Sequence, residues 1–576
     1  MIEVNEFVES DVLIIGGGIA GSMAGIAAKE ALGDSGKVVV VSKGRVGRSG
    51  QSPFAAGIFA VFDPALDDMD VWLEEAVELG EYLNDQEWCK LLFQKMLPVA
   101  QLIDGWGQDY GVKLFERDAD GRFLRRRSRG HIRTWHNLVN ALPLMDTLRR
   151  KQKAEGVVVL DRVMITDLIS SESRIIGALG LNLRKHTTIL LTFKSVVLAA
   201  SGSTFKSVFI GHKDLTGDIQ VAAFDAGVIM RNLEQYATNT CARDFDIHGM
   251  NLYTSVGGKF LNGQGEEFMW KYNPVLGNRA RLQDLVMAFC REVQEGRGPV
   301  FLDVSAASPE GRQLCRKILP ESFMAWDRAG IDPFQQRVEW IPAFVGTTVS
   351  GGGIHANTCC ETNLPHVFAA GDITPNPPSG TQSFGGLALS YSGISGREAG
   401  FNAAADAKTV ALPVWGKRER ARVKGVLKER LSPLGRLTGI LPDEAYPHIQ
   451  KSLIPSRVGY LKSRPALEES LDAIQQVQAD MLPRLCAPDA HELGKAIEVQ
   501  NMMKMAHLMI LSSLAREESR GFHFREDFPV TDNENWLKWI MVKKEGEEIK
   551  VWPQEYTLPY VRPKEKRQAP PGVRRA

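Results

Sequence analysis

Six residues near the start of the chain, Gly16-Gly17-Gly18-Ile19-Ala20-Gly21, have the types and spacing to hold a pyrophosphate. In a G-x-G-x-x-G pattern the first glycine takes a tight turn. The second lets a phosphate reach the backbone where a side chain would block it, and the third lets a helix pack close to its strand. The anion then lies at the helix N-terminus, where free N–H groups and the helix dipole favour negative charge. The pattern by itself is weak, because glycine turns often only join a strand to a helix. Its flanks make it specific. Asp11-Val12-Leu13-Ile14-Ile15 precedes it, a helix of small residues follows, and Lys37-Val38-Val39-Val40-Val41-Ser42 is a second strand. That is the βαβ context of a dinucleotide site and puts an ADP-bearing cofactor on this chain. The acid that commonly ends the second strand is absent; Ser42-Lys43 stands there, leaving a hydroxyl to hold the adenosine ribose.

Other chemistry-bearing groups are less patterned. His131, His136 and His248 are candidate acids or bases, each with a structural alternative. Arg122, Arg125, Arg126, Arg127, Arg129 and Arg133 form the sharpest local charge, read either as a solvated face or as an anion funnel or landing patch for an acidic partner. The seven cysteines include no C-x-x-C. This argues against a disulfide framework, a zinc ribbon or an iron–sulfur cluster on this chain, and no metal is expected.

The elements that must position these groups follow from length and pattern. At 576 residues, with 44% hydrophobic and 24% charged, the chain reads as two to four globular domains. Lys+Arg and Asp+Glu both total 69, so no global field favours nucleic acid or an anionic membrane. No run reaches the length of a membrane span, and the first residues lack a secretory pattern. The expectation is a soluble, cytoplasmic protein whose contact with a membrane, if any, is peripheral and through a partner. Residues 7–62 read as the first βαβ unit and its loop, with small residues Ala55-Ala56-Gly57-Ile58 suited to passing beneath a flat ring. Strands are expected at 157–160, 175–183, 187–193 and 195–200, a small antiparallel sheet returning to the main parallel one. Composition shifts over 241–343 as in an inserted domain. Glycine returns at 350–354 and 367–372, a small-residue helix follows over 385–405, and 415–515 is helical. The tail from Pro563 reads as extended or disordered.

Two segments carry a family resemblance. Val367-Phe368-Ala369-Ala370-Gly371-Asp372 looks like the second flavin-binding motif of two-dinucleotide-fold flavoproteins. Arg516-Glu517-Glu518-Ser519-Arg520-Gly521-Phe522-His523-Phe524-Arg525-Glu526-Asp527, continuing to Lys538, closely resembles the C-terminal signature of succinate dehydrogenase and fumarate reductase flavoprotein subunits. Leu215-Thr216-Gly217-Asp218 is similar to that family's threonine-glycine-aspartate flavin contact. The likeness runs in order over nearly the whole chain; other branches of the superfamily are L-aspartate oxidase and the alpha subunit of adenylylsulfate reductase. It implies an α/β fold: a Rossmann-like FAD-binding domain (1–240 and 346–410), an inserted α+β capping domain (241–345), a helical domain (411–530) and a C-terminal extension (531–576).

Carried over, the resemblance puts the flavin site at Gly16, Gly18, Ile19, Ala20, Gly21, Ser42, Lys43, Arg48, Ser49, Gly50, Gln51, Ala56, Gly57, Asp218, Gly371, Asp372, Ala388 and Leu389. The family's respiratory members attach FAD through a histidine after Arg-Ser; here Gly50 follows Arg48-Ser49, implying non-covalent FAD. The groups that clamp a C4 dicarboxylate in the family are missing. Gln235-Tyr236-Ala237-Thr238 replaces a segment containing histidine, Thr348 aligns near a second histidine, and Ser383 aligns with an arginine. An unpaired buried carboxylate is heavily penalised, so the expected substrate is a small anion other than fumarate or succinate. Asn278-Arg279-Ala280-Arg281 resembles the segment whose arginine donates the proton in fumarate reduction. Arg279 is thus the candidate catalytic residue, as acid or as clamp on developing charge, with a structural salt bridge as the alternative. The family also implies a separate iron–sulfur, ferredoxin-like electron partner. A flavin relay without a substrate and a genuine fumarate reductase or succinate dehydrogenase remain the alternatives.

Overall fold

The computed structural model describes residues 4–568 apart from Ala56, Ser173, Asp246, His248, Ser350, Ser383 and Leu437. Its centre is a seven-stranded sheet. Glu6–Ile15 lies between Val38–Ser42 and Thr187–Leu198, parallel to both, and Val158–Asp161 extends the sheet beyond Val38–Ser42. The runs at 12–15 and 38–41 are apolar without alternation because both faces are covered. Val12, Ile14, Val38 and Val40 face the helices Ile19–Leu32, Gln86–Asp109 and Leu387–Ala407. Leu13, Ile15, Val39 and Val41 face the other layer, which includes Asp218–Asp225 and Ala490–Ala515. The small residues of Leu387–Ala407 have a packing reason: a Cβ on Gly396 would come within 2.2 Å of the Ala20 carbonyl oxygen, so this helix touches Ile19–Leu32 backbone to backbone.

Two expectations are corrected. The runs at 187–193 and 195–200 are one strand, Thr187–Leu198, whose first half pairs with Arg174–Asn182 and whose end pairs with Val367–Ala369. Lys194, which reads as a break, is paired at 2.7 Å with Asp11 of the next strand. A further strand, Val163–Ser171, went unseen because Thr166 and Asp167 interrupt its apolar pattern. Asp167 is there to receive Arg430, from the helix Lys417–Arg430, at 3.0 Å.

The inserted segment has its own antiparallel sheet, in the order Ala237–Ala242, Val338–Gly346, Phe301–Asp303, Lys259–Leu261, with the amphipathic helix Leu282–Gln294 beside it. The C-terminal segment folds back. The hairpin Trp539–Glu545 and Glu548–Gln554 joins Met230–Arg231 and Gly353–Ile354 in a second sheet, and Arg567–Gln568 pairs with Thr531–Asp532, so the tail is extended as far as Gln568. The signature around Arg516 is buried charge. Glu518 receives Arg516 Nη1 at 2.7 Å, Arg520 Nε at 2.7 Å and the Asp532 amide at 2.9 Å, with all three side chains of the Arg516–Glu518–Arg520 cluster fully out of water. Removing one member of a buried pair leaves a charge stranded. Glu518→Gln is therefore expected to cost about 3–5 kcal/mol, read as a lower urea midpoint at unchanged m-value; a midpoint shift near zero would show the cluster to be incidental.

Candidate active site

The first strand ends at Gly16, whose φ of +132° is a backbone state that side chains rarely adopt, and whose Cβ would lie 2.2 Å from the Ala199 carbonyl oxygen. A Cβ on Gly21 would lie 1.9 Å from the Gly16 oxygen, so the helix starts hard against the turn. Ser52 closes the turn from the other side, its Oγ accepting from the Ile19 amide at 3.1 Å. Between these walls runs a cavity of about 1080 Å³, lined among others by Gly16, Gly18, Ile19, Ala20, Ser42, Lys43, Ser49, Gly50, Gln51, Asp218 and Asp372.

At the Ser42 end Lys43 is committed elsewhere. Its Nζ donates to Thr216 Oγ1 and Asp218 Oδ2, both at 2.8 Å, and to Glu498 Oε1 at 2.9 Å; Lys206 holds the other Glu498 oxygen at 2.6 Å. Burial alone would push the Glu498 carboxyl up, but the two ammonium groups outweigh it and hold it at about 2. At the far end the Asp372 carboxyl lies deep in the trough. Burial lifts it to about 6, partly offset by a hydrogen bond from Gln51 Nε2 to Oδ2, and Oδ1 has no partner among the described residues. A long trough with a glycine cradle in its wall and an unmet buried acceptor at one end fits an extended dinucleotide with a sugar-like chain.

Beyond Asp372 the space continues into a smaller cavity of about 150 Å³ that shares Ile19, Gln51, Ser52, Asp372 and Ser392 with the trough. Its floor includes Ala388 and Leu389, and its roof is the inserted domain, through Asn239, Thr240, Met250, Asn251 and Leu282. Two ionisable side chains that carried no individual weight in the sequence stand here. Arg129 is buried, and its Nε donates to Asn251 Oδ1 at 3.2 Å. His212 is buried, and its Nδ1 lies 2.8 Å from the Ile210 carbonyl oxygen. Desolvation pulls Arg129 down to about 10 and His212 to about 4, so the imidazole is neutral at physiological pH.

Several expected residues fall outside these linings. Arg279 is half-buried in the turn Gly277–Arg279, where its carbonyl accepts from the Gly130 amide, while Leu282 is the residue of that segment that faces the cavity. Its neighbour Arg281 is ion-paired with Glu81 and Asp284, each at 2.9 Å. Arg48 pairs with Asp146, Gly57 packs on Ile318 of the cap, and Gly21 and Gly371 back the trough, Gly371 against Ala20. Ala56, His248, Ser350 and Ser383 lie outside the described residues. The arginine run is not one patch: Arg125 pairs with Asp67 and Arg133 with Glu74, Arg127 lies over the Trp135 ring, and only Arg129 enters the cavity. His131 and His136 are buried against each other and the Gly385 carbonyl, holding the loop that delivers Arg129.

Comparison with known proteins agrees with this architecture. A family model described as FAD binding domain matches residues 11–389, and one described as fumarate reductase flavoprotein C-term matches residues 451–569. The chain belongs to the FAD-binding flavoproteins of the succinate dehydrogenase and fumarate reductase family. It is an FAD-dependent oxidoreductase. One subunit of the CoM/CoB fumarate reductase of Methanothermobacter marburgensis is 29% identical over 572 residues, covering 94% of this chain and 98% of that one. A variant of the E. coli quinol fumarate reductase shares the fold with a TM-score of 0.84 at 20% identity, covering 97% and 99% of the two chains. Adenylylsulfate reductase of Archaeoglobus fulgidus does so with a TM-score of 0.81 at 20% identity, covering 96% and 97%.

The Asp372 carboxyl makes the stability of the flavin-free protein depend on pH. Its folded-state value of about 6 lies above the unfolded value of about 3.9. The buried carboxyl therefore carries no penalty below pH 4, gains one as pH rises toward 6, and carries it in full above that. In flavin-free protein Asp372→Asn should raise stability by about 3 kcal/mol at pH 7.5 and by almost nothing at pH 4. The same change should weaken FAD binding about 10- to 100-fold. A stability difference independent of pH would contradict the assignment.

Proposed function

We propose that this chain is the catalytic component of a two-component oxidoreductase that exchanges a hydride between flavin N5 and a small anionic substrate other than a C4 dicarboxylate. Electrons would pass to or from a separate iron–sulfur, ferredoxin-like protein. The observation that carries the reading is the charge lining the small cavity: among its described residues Arg129 is the only cationic side chain, and His212 is neutral. A C4 dicarboxylate brings two carboxylates, and each needs a charged partner once out of water. At the clamp positions Thr348 Oγ1 is turned onto the Val345 carbonyl at 2.8 Å, and Ala237 has no polar side chain.

Bound FAD supplies the hydride chemistry. The chain's part is to hold and orient. Gly18 and Ser52 admit the pyrophosphate, Asp372 takes the sugar chain, and Ala388 and Leu389 floor the ring. Arg129, oriented by Asn251, receives the substrate anion, and the cap excludes water from the reacting face. Gly50 offers no atom for a covalent link, which supports non-covalent FAD. The polar groups of Asn239, Asn251 and Gln382 on the cavity wall favour catalysis over a sealed electron relay. Among the described residues no helix is long and apolar enough to cross a membrane, so membrane contact would come through the partner.

The name of the M. marburgensis relative favours a second reading, true fumarate reduction with a rearranged clamp. Turnover of fumarate with reduced viologen dye and of succinate with oxidised dye separates the two. The first reading expects no saturable rate with either; a saturable rate would establish the second. A co-purified partner with broad iron–sulfur absorbance is expected, and one without it would remove the two-component assignment.

A further inference from the structure

Resting on the reading of the small cavity as a substrate pocket, we propose that it selects a 2-hydroxy monocarboxylate, with Arg129 taking the carboxylate and His212 Nε2 accepting the hydroxyl hydrogen bond. The imidazole is unusually well defined for this role. A carbonyl oxygen can only accept, so the 2.8 Å contact with Ile210 places the ring proton on Nδ1 and a lone pair on Nε2. That Nε2 is buried and has no hydrogen-bond partner among the described residues. Phe209, edge-on at 4.9 Å between ring centroids, restricts rotation of the ring. A buried acceptor left unmet is penalised, and a ligand O–H removes the penalty.

Gln382 Oε1 is also without a partner among the described residues, but the contact that would fix its amide, Nε2 to the Val349 carbonyl, is long at 3.5 Å, so the amide can reverse and present N–H instead. It therefore does not discriminate donors from acceptors, whereas the tautomer of His212 does. Arg129 supplies the other half. Its guanidinium is buried, and the cap amide of Asn251 fixes its direction; a carboxylate offsets the desolvation that weighs on it. A single cation calls for one anionic group. An ammonium in place of the hydroxyl would set a second cation beside the buried Arg129, so the hydroxy acid is favoured over the amino acid.

The test titrates the FAD-loaded protein with lactate, propionate, alanine and succinate and reads the change in the flavin absorbance bands. Lactate is expected to bind about tenfold tighter than propionate, which has the same carboxylate without the donor. His212→Leu should bring lactate to the level of propionate, His212→Gln, which keeps an acceptor, should restore part of the preference, and Arg129→Gln should weaken both acids together. Equal binding of lactate and propionate, or alanine binding tighter than lactate, would overturn the His212 assignment while leaving an anion pocket in place. Succinate binding alone, or no spectral change with any of the four at millimolar concentration, would overturn that assignment and the proposed function together.

Discussion

The cap can act on a bound ring only if it is held at a fixed height above the glycine turn, and buried charge holds it there. Glu81, in the flavin domain, receives Arg281 from the cap at 2.9 Å and the Gly521 amide from the C-terminal segment at 3.1 Å, while its own carbonyl accepts from Arg520 at 2.7 Å. Arg516 binds Glu234, three residues before the first cap strand. Charges taken out of water are tolerated only when each is met in good geometry, so there are few ways to assemble these three parts of the chain. Glu81 and Tyr82 sit at φ of 52° and 65°, a strained state that surrounding contacts must sustain. The C-terminal signature is thus a structural lock on the site and contributes no side chain to either cavity lining.

A second consequence of pairing concerns the trough. The lysine nearest the turn is tied to Asp218 and Glu498, so the cradle offers backbone N–H groups and helix dipole to the pyrophosphate while that lysine's charge is spent on joining the helical domain to the flavin domain. The small cavity has the opposite design. There the cation, Arg129, donates to the Asn251 side chain and lines the space that a substrate would fill.

What the sequence made legible was local. The glycine turn and its two strands show in consecutive residues, as do the small-residue helices and the composition change at the cap. What it hid was set by long-range pairing. Lys43 and Glu498 are 455 positions apart, and nothing near either announces the other. Arg129 was obscured by five other arginines, among them Arg125 and Arg133 in ion pairs and Arg127 over a tryptophan ring. His212 precedes Thr216-Gly217-Asp218 by only four residues, a spacing that could have drawn attention to it, yet its importance rests on the Ile210 contact and on burial, which only the fold reveals. Arg279 was favoured by segment likeness; it lies in the turn Gly277–Arg279 ahead of the helix Leu282–Gln294, whose first residue lines the cavity.

The most direct test of the whole account is acid precipitation of the purified, yellow protein followed by flavin assay of both fractions. Non-covalent FAD along the trough requires free FAD in the supernatant, equimolar with chain, and a colourless pellet. Colour retained on the precipitated chain, or a protein that is colourless and takes up no FAD, would contradict it.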